Sequence, residues 1–133
     1  MEYINFGNTD LSVSRVGLGC GGHSRLGLAY GSKSAAREVV KHALNLGINF
    51  YDTARIYGTE SVLGDVLLQE RKHCVLSTKT LIVDKRGDFI SPDKIISSLE
   101  KSLMRLRTDY VDIFNLHGVR PKELEFCLQN YIG

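Results

Sequence analysis

Ile48-Asn49-Phe50-Tyr51-Asp52, Val75-Leu76-Ser77-Thr78-Lys79 and Tyr110-Val111-Asp112-Ile113-Phe114-Asn115-Leu116, the last running straight into His117, are three short apolar runs that each close on an ionisable side chain. Their length and their β-branched and aromatic content read as strands. Residues 16–20 form a fourth such run near the start of the chain. Between the runs, apolar residues recur at helical spacing. Residues 35–46 carry Ala36, Val39, Val40, Ala43 and Leu44, with Ser34 as the expected N-cap and Gly47 as the stop; residues 61–68 carry Leu63, Val66 and Leu67. Ser91-Pro92 opens a third helix, a cap residue followed by proline at the first helical position, with Ile95, Ile96, Leu99, Leu103 and Leu106 along it. Residues 121–130 begin a fourth. Strands alternating with helices predict βαβ units, a parallel sheet and right-handed crossovers.

The composition suits such a fold. The chain has 133 residues, 43% hydrophobic and 24% charged, with 17 Lys and Arg against 15 Asp and Glu, which is the make-up of one globular domain with a real core. The basic residues are spread out rather than gathered into a phosphate-tracking block, so no nucleic-acid partner is expected. The uncharged stretch from His42 to Tyr51 falls far short of the roughly 18 apolar residues of a membrane span, so no membrane partner is expected either. Three separated cysteines, Cys20, Cys74 and Cys127, point to reduced thiols and a cytoplasmic setting, with no metal cage. Met1-Glu2-Tyr3-Ile4 lacks the basic start and apolar run of a secretory signal. The opening residues 4–14 read as two extended runs around Gly7-Asn8-Thr9-Asp10, a hairpin.

Two parallel architectures compete. With Val16, Asn49, Val75 and Val111 as strand markers, the spacings are 33, 26 and 36. Eight such units would fill the ~250 residues of a (β/α)8 barrel, of which this chain would be half. An open flavodoxin-like sheet is complete near this length. The strand ends decide between them. By the alternation of side chains along a strand, Phe50 and Asp52 share a face, as do Val75, Ser77 and Lys79, and as do Ile113, Asn115 and His117. Three strands thus deliver Asp52, Lys79 and His117 to the carboxyl edge of one face. Tyr57, in the loop after Asp52, can lean over that edge.

An acid, a phenol, an amine and an imidazole suit proton delivery to a carbonyl oxygen. A free phenol is a reluctant acid at neutral pH, and an ammonium beside it favours the phenolate. Tyr57 is the expected proton donor, with Asp52 holding Lys79 and His117 meeting the substrate oxygen. No side chain supplies a hydride, so a nicotinamide cofactor is implied. Gly17-Leu18-Gly19-Cys20-Gly21-Gly22 spells G-x-G-x-x-G, but no helix opens at the third glycine and the acidic Asp52 comes 30 positions later, where ~20 is usual. These glycines read as loop residues allowing close backbone approach.

Gly47-Ile48-Asn49-Phe50-Tyr51-Asp52-Thr53-Ala54, Tyr57-Gly58, Glu60-Ser61-Val62-Leu63-Gly64, Ser77-Thr78-Lys79, residues 98–106 and Asp109-Tyr110-Val111-Asp112 running on to His117 together resemble the aldo-keto reductases. Around Asp52 the spelling is closer to the branch with galactose dehydrogenases and potassium-channel β-subunits than to aldose reductase. The resemblance implies an α/β fold, a parallel (β/α) barrel of TIM type, here strands one to four of eight over residues 1–133, with the N-terminal hairpin at its bottom. It implies that Asp52, Tyr57, Lys79 and His117 are catalytic, in reversible reduction of a small-molecule carbonyl to an alcohol with NADP(H) or NAD(H). Gly19, Gly21, Asp52 and Thr53 would line the nicotinamide end of the cofactor. The rest of that cofactor site belongs to strands five to eight, so the expectation is a truncated chain with impaired activity, or a regulatory or binding module. Its open sheet edges would favour self-association.

Overall fold

The computed structural model describes residues 1–132. Its element order is β1 (Tyr3–Asn5), β2 (Ser12–Ser14), β3 (Leu18–Gly19), α1 (Lys33–Asn45), β4 (Phe50–Asp52), α2 (Glu60–Leu67), β5 (Val75–Leu81), α3 (Pro92–Leu106), β6 (Ile113–His117) and α4 (Leu124–Asn130), with short 3-10 turns between several of them. β1 and β2 pair antiparallel. The other four form one parallel sheet in the order β3-β4-β5-β6, as the strand and helix alternation predicts. Each strand lies beside its predecessor in sequence, which is the progression of a (β/α) barrel and not the switched order of a doubly wound sheet.

The core lies between the sheet and its helices. Tyr51 and Leu76 point to one face of β4 and β5, where they join Ala36, Val40, Leu63, Leu67 and Leu106 in one buried cluster. On the other face stand Phe50, Asp52, Ser77, Lys79 and Asn115, as strand parity requires. The register is Gly19 with Asp52, Asp52 with Ser77, Ser77 with Ile113, and Leu81 with His117. This register carries four βα units to a common carboxyl edge.

The hairpin closes the amino end of the sheet. Asn49, just before β4, accepts from Ser14 N through Oδ1 at 2.6 Å and donates through Nδ2 to Ser12 O at 2.9 Å. The Tyr3 hydroxyl donates to Gly47 O, and Phe6 meets Phe50 edge to face with ring centroids 5.7 Å apart.

The cap of α1 differs from the sequence reading, and that of α3 stands where it was expected but lacks its side-chain bond. Helix α1 starts at Lys33 and its cap is Ser32, whose hydroxyl accepts from Ala35 N at 3.0 Å; Ser34 lies inside the first turn. Both serines fit a cap by type, and the extended backbone of Ser32 selects it. Ser91 occupies the cap position of α3 without a side-chain cap hydrogen bond, leaving Pro92 as the feature that starts the helix.

Burial of polar groups locks the helices to the sheet. Glu60, only 1% exposed, accepts from Thr78 Oγ1 on β5 at 2.8 Å and from Arg105 Nε on α3 at 2.6 Å, tying α2 to both. A basic residue such as Arg105 would ordinarily lie on the wet side of α3; the buried carboxylate draws it inward, because an uncompensated charge there would be costly. At the other end of the sheet Asp112 accepts from Leu76 N and from Arg71 Nη2, each at 2.8 Å, and the Arg71 guanidinium stacks on Tyr110. Gly64 lets α2 approach the end of α3 so closely that a Cβ there would sit 2.5 Å from Arg105 O. Gly64→Ala is therefore expected to lower unfolding stability by about 1–3 kcal/mol, read as a shifted urea midpoint with an unchanged slope.

Candidate active site at the carboxyl edge of the sheet

The four polar residues singled out by parity come together. Lys79 on β5 donates from Nζ to Asp52 Oδ2 at 2.6 Å and to the carbonyl of Thr53 at 2.9 Å. The second carboxylate oxygen of Asp52 accepts from the Ser77 hydroxyl at 2.9 Å, and Asn115 Nδ2 donates to that same hydroxyl at 3.0 Å. A chain of hydrogen bonds thus runs across β6, β5 and β4. Ser77 and Asn115 carried no role in the sequence reading, although parity already put both on this face.

Tyr57 reaches the edge from a 3-10 turn, Arg55–Tyr57, ended by Gly58 in the left-handed region at φ 73°. The turn is clamped at its base by Thr53 and Thr59, both fully buried, whose hydroxyls lie 2.8 Å apart. Its ring stands 5.3 Å from Lys79 Nζ, measured to the centroid, and packs edge to face on His117 with centroids 5.5 Å apart. The phenol oxygen is 3.4 Å from His117 Nε2. Asp52, Lys79, Tyr57 and His117 thus form one continuous constellation.

The expected cofactor contacts divide into two kinds. Gly19 faces open space, with nothing within 4 Å of where a Cβ would lie, and Asp52 is partly exposed beside it. Gly21 is covered by Tyr57, whose ring carbons would come within 2.7 Å of an added Cβ. Its missing side chain makes room for the phenol. Thr53 is buried, its hydroxyl spent on Thr59 and its carbonyl on Lys79, so it supports the site from beneath. The cysteine nearest the edge, Cys20, has no exposed surface, and burial with the adjacent Asp52 carboxylate pushes its thiol up to about 12. It stays protonated and unreactive. Among the described residues, no three His, Cys, Asp or Glu side chains gather to hold a metal ion.

Burial, and then the Lys79 charge, lower the pKa of His117 from its ordinary 6.5, against a smaller opposing pull from Asp52. The imidazole is therefore neutral at pH 7 and has one proton to place. Nδ1 is buried without any hydrogen-bond partner. Burying an unpaired N–H costs more than burying an unpaired lone pair, which puts the proton on Nε2, facing Tyr57. As pH falls through 6.5 the unfolded chain takes up this proton before the folded one, so folding stability declines on the acid side of that value. The NMR titration midpoint of His117 is expected below 6.5, and Lys79→Met should raise it. A midpoint that does not rise would break the electrostatic link between the two residues.

The chain as a whole matches known proteins in sequence and fold. The model of the Aldo/keto reductase family matches residues 15–126. The chain is 36% identical over 127 residues to the uncharacterized oxidoreductase YqkF of Bacillus subtilis, covering 89% of this chain and 39% of that one. It is 38% identical to L-galactose dehydrogenase of Arabidopsis thaliana, covering 94% of this chain and 40% of that protein. Among solved structures, the holo form of aldo-keto reductase AKR11C1 from Bacillus halodurans superposes with a TM-score of 0.76 at 31% identity, over 99% of this chain and 48% of the other. The chain spans about 40% of the length of the curated relatives it matches, and its four-stranded sheet corresponds to half a barrel. Motif order, sheet order and match extent agree, and the chain belongs to the aldo/keto reductase family of oxidoreductases.

Proposed function

We propose that Asp52, Tyr57, Lys79 and His117 form the proton-delivery centre for reversible reduction of a small-molecule carbonyl to an alcohol, with NADP(H), or NAD(H) in its place, in the cytoplasm. The observation that carries this reading is the position of the Tyr57 hydroxyl, 3.4 Å from His117 Nε2, on a ring flanked by an ammonium that Asp52 holds in place. His117 donates from Nε2, leaving the Tyr57 proton free for an incoming oxygen. A carbonyl oxygen bound between the two accepts a hydrogen bond from each. Tyr57 then protonates that oxygen, and Lys79 stabilises the phenolate left behind.

The residues present fit the nicotinamide end of the cofactor, since Gly19 leaves open space beside Asp52. Gly19 and Asp52 would hold it, with Gly21 and Thr53 shaping the backbone beneath. When bound, it supplies the hydride to the carbonyl carbon. By the family resemblance, the contacts to the rest of the dinucleotide fall on strands five to eight, which these 133 residues do not include, so this stretch alone is expected to bind it weakly. Titration of NADPH against the purified chain is expected not to saturate in the micromolar range, and micromolar affinity would overturn the expectation of an impaired site.

A second reading, a non-catalytic binding or regulatory module, is supported by the free edges of β3 and β6, which offer unpaired backbone to another chain, a second copy included. Two measurements separate the readings. If the chain is an enzyme, it oxidises NADPH steadily with a simple aldehyde, and Tyr57→Phe lowers that rate by about 10²–10⁴-fold. If it is a module, no turnover appears and light scattering reports a self-associated species.

A further inference from the structure

Between the carboxyl end of β5, the loop that follows it and α3 lies a cavity of about 720 Å³, whose lining includes none of Asp52, Tyr57, Lys79 and His117. Four cations line it: Arg55 from the turn that carries Tyr57, Lys85 from the loop after β5, and Lys94 and Lys101 from α3. Lys94, Ser98 and Lys101 follow one another at helical intervals of four and three, so α3 turns a single cationic and hydroxylic stripe to the cavity. None of these four cations takes part in an ion pair among the described residues. The ion pairs among the described residues engage Arg15, Arg37, Lys41, Arg71, Lys79, Arg105, Arg107 and Arg120 instead.

The single acidic residue of the lining, Asp84, accepts through Oδ1 from Arg86 N at 2.8 Å and Asp88 N at 3.1 Å, and so serves its own turn. Four cations against one carboxylate exceed the net charge of the whole chain, +2. The remaining wall is mixed. Thr80 and Ser98 present hydroxyls bonded to each other at 3.1 Å, and Phe89 and Ile90 present apolar surface.

The hairpin loop that forms this wall is held in shape by the Val83–Phe89 bridge and the hydrogen bond from Ile90 N to Ile82 O at 2.8 Å. Phe89 is further fixed by stacking on Phe126 of α4, with centroids 3.7 Å apart. A concavity of this volume suits a small ligand better than a polymer. Lysine and arginine recognise phosphate by charge and, for arginine, by paired hydrogen bonds.

We propose that this cavity binds a small organic phosphate, its phosphoryl oxygens on Arg55, Lys85, Lys94 and Lys101 and its carbon skeleton against Phe89 and Ile90. The site is separate from the proton-delivery centre and does not depend on it. Inorganic pyrophosphate serves as the probe, titrated into the full chain by calorimetry at low ionic strength and followed by amide chemical shifts. One saturable site is expected, with shifts centred on residues 80–101. Lys94→Gln with Lys101→Gln should weaken it by about tenfold or more. The pair Lys33→Gln with Lys122→Gln removes the same charge elsewhere and should leave it within about twofold. No saturation, or equal loss in both double variants, would overturn the proposal. Amide shifts centred on Asp52, Tyr57, Lys79 and His117 would do so as well, by placing the anion at the sheet edge instead.

Discussion

The ion pair between Lys79 and Asp52 joins the ends of two adjacent parallel strands, and the carboxyl edge is organised around it. The lysine side chain is 17% exposed and the aspartate 39%, so neither charge is fully solvated and neither stands well alone. Three further groups satisfy the pair. Ser77 donates to the free carboxylate oxygen, Asn115 donates to Ser77, and the Thr53 carbonyl accepts from the ammonium. A lone ion pair at this depth would gain little over hydrated charges; one with its remaining hydrogen bonds supplied becomes a rigid fixture. Tyr57 and His117 are set against that fixture.

The side of the sheet facing the helices carries the complementary burden. Glu60 and Asp112 are carboxylates sunk at opposite ends of the sheet, each receiving an arginine and a donor from β5. Between them they hold α2, α3, the start of β6 and the 3-10 turn at Arg71 to the strand that carries Lys79. Gly64 permits the close contact of α2 with α3 that lets Arg105 reach Glu60. The face that carries Asp52 and Lys79 can stay open and polar because the opposite face is tightly packed and internally neutralised.

Parity was the productive signal in the sequence. Counting by twos from Asp52, Lys79 and His117 was enough to put these groups on one face at one edge, and the register bears this out. Harder to read were features with no local pattern. Ser32 and Ser34 are equal cap candidates by type, and backbone conformation alone separates them. Arg105 sits among Lys101 and Arg107 on what looks like a wet helical face, until the buried Glu60, 45 residues earlier, is brought beneath it. Gly21 looked like a loop glycine at the sheet edge, while its role depends on the ring of Tyr57, which arrives from another loop.

What the linear chain determined by itself is the alternation of strand and helix, the face on which each strand-end residue stands, and the set of chemical groups available for proton transfer. These follow from local periodicity and side-chain chemistry, which act over a few residues. Tertiary structure alone decided the 3.4 Å approach of Tyr57 to His117, the neutral state of that imidazole and the gathering of four unpaired cations around one cavity. Each of those depends on groups distant in sequence meeting where water is partly excluded, and no local pattern encodes such a meeting.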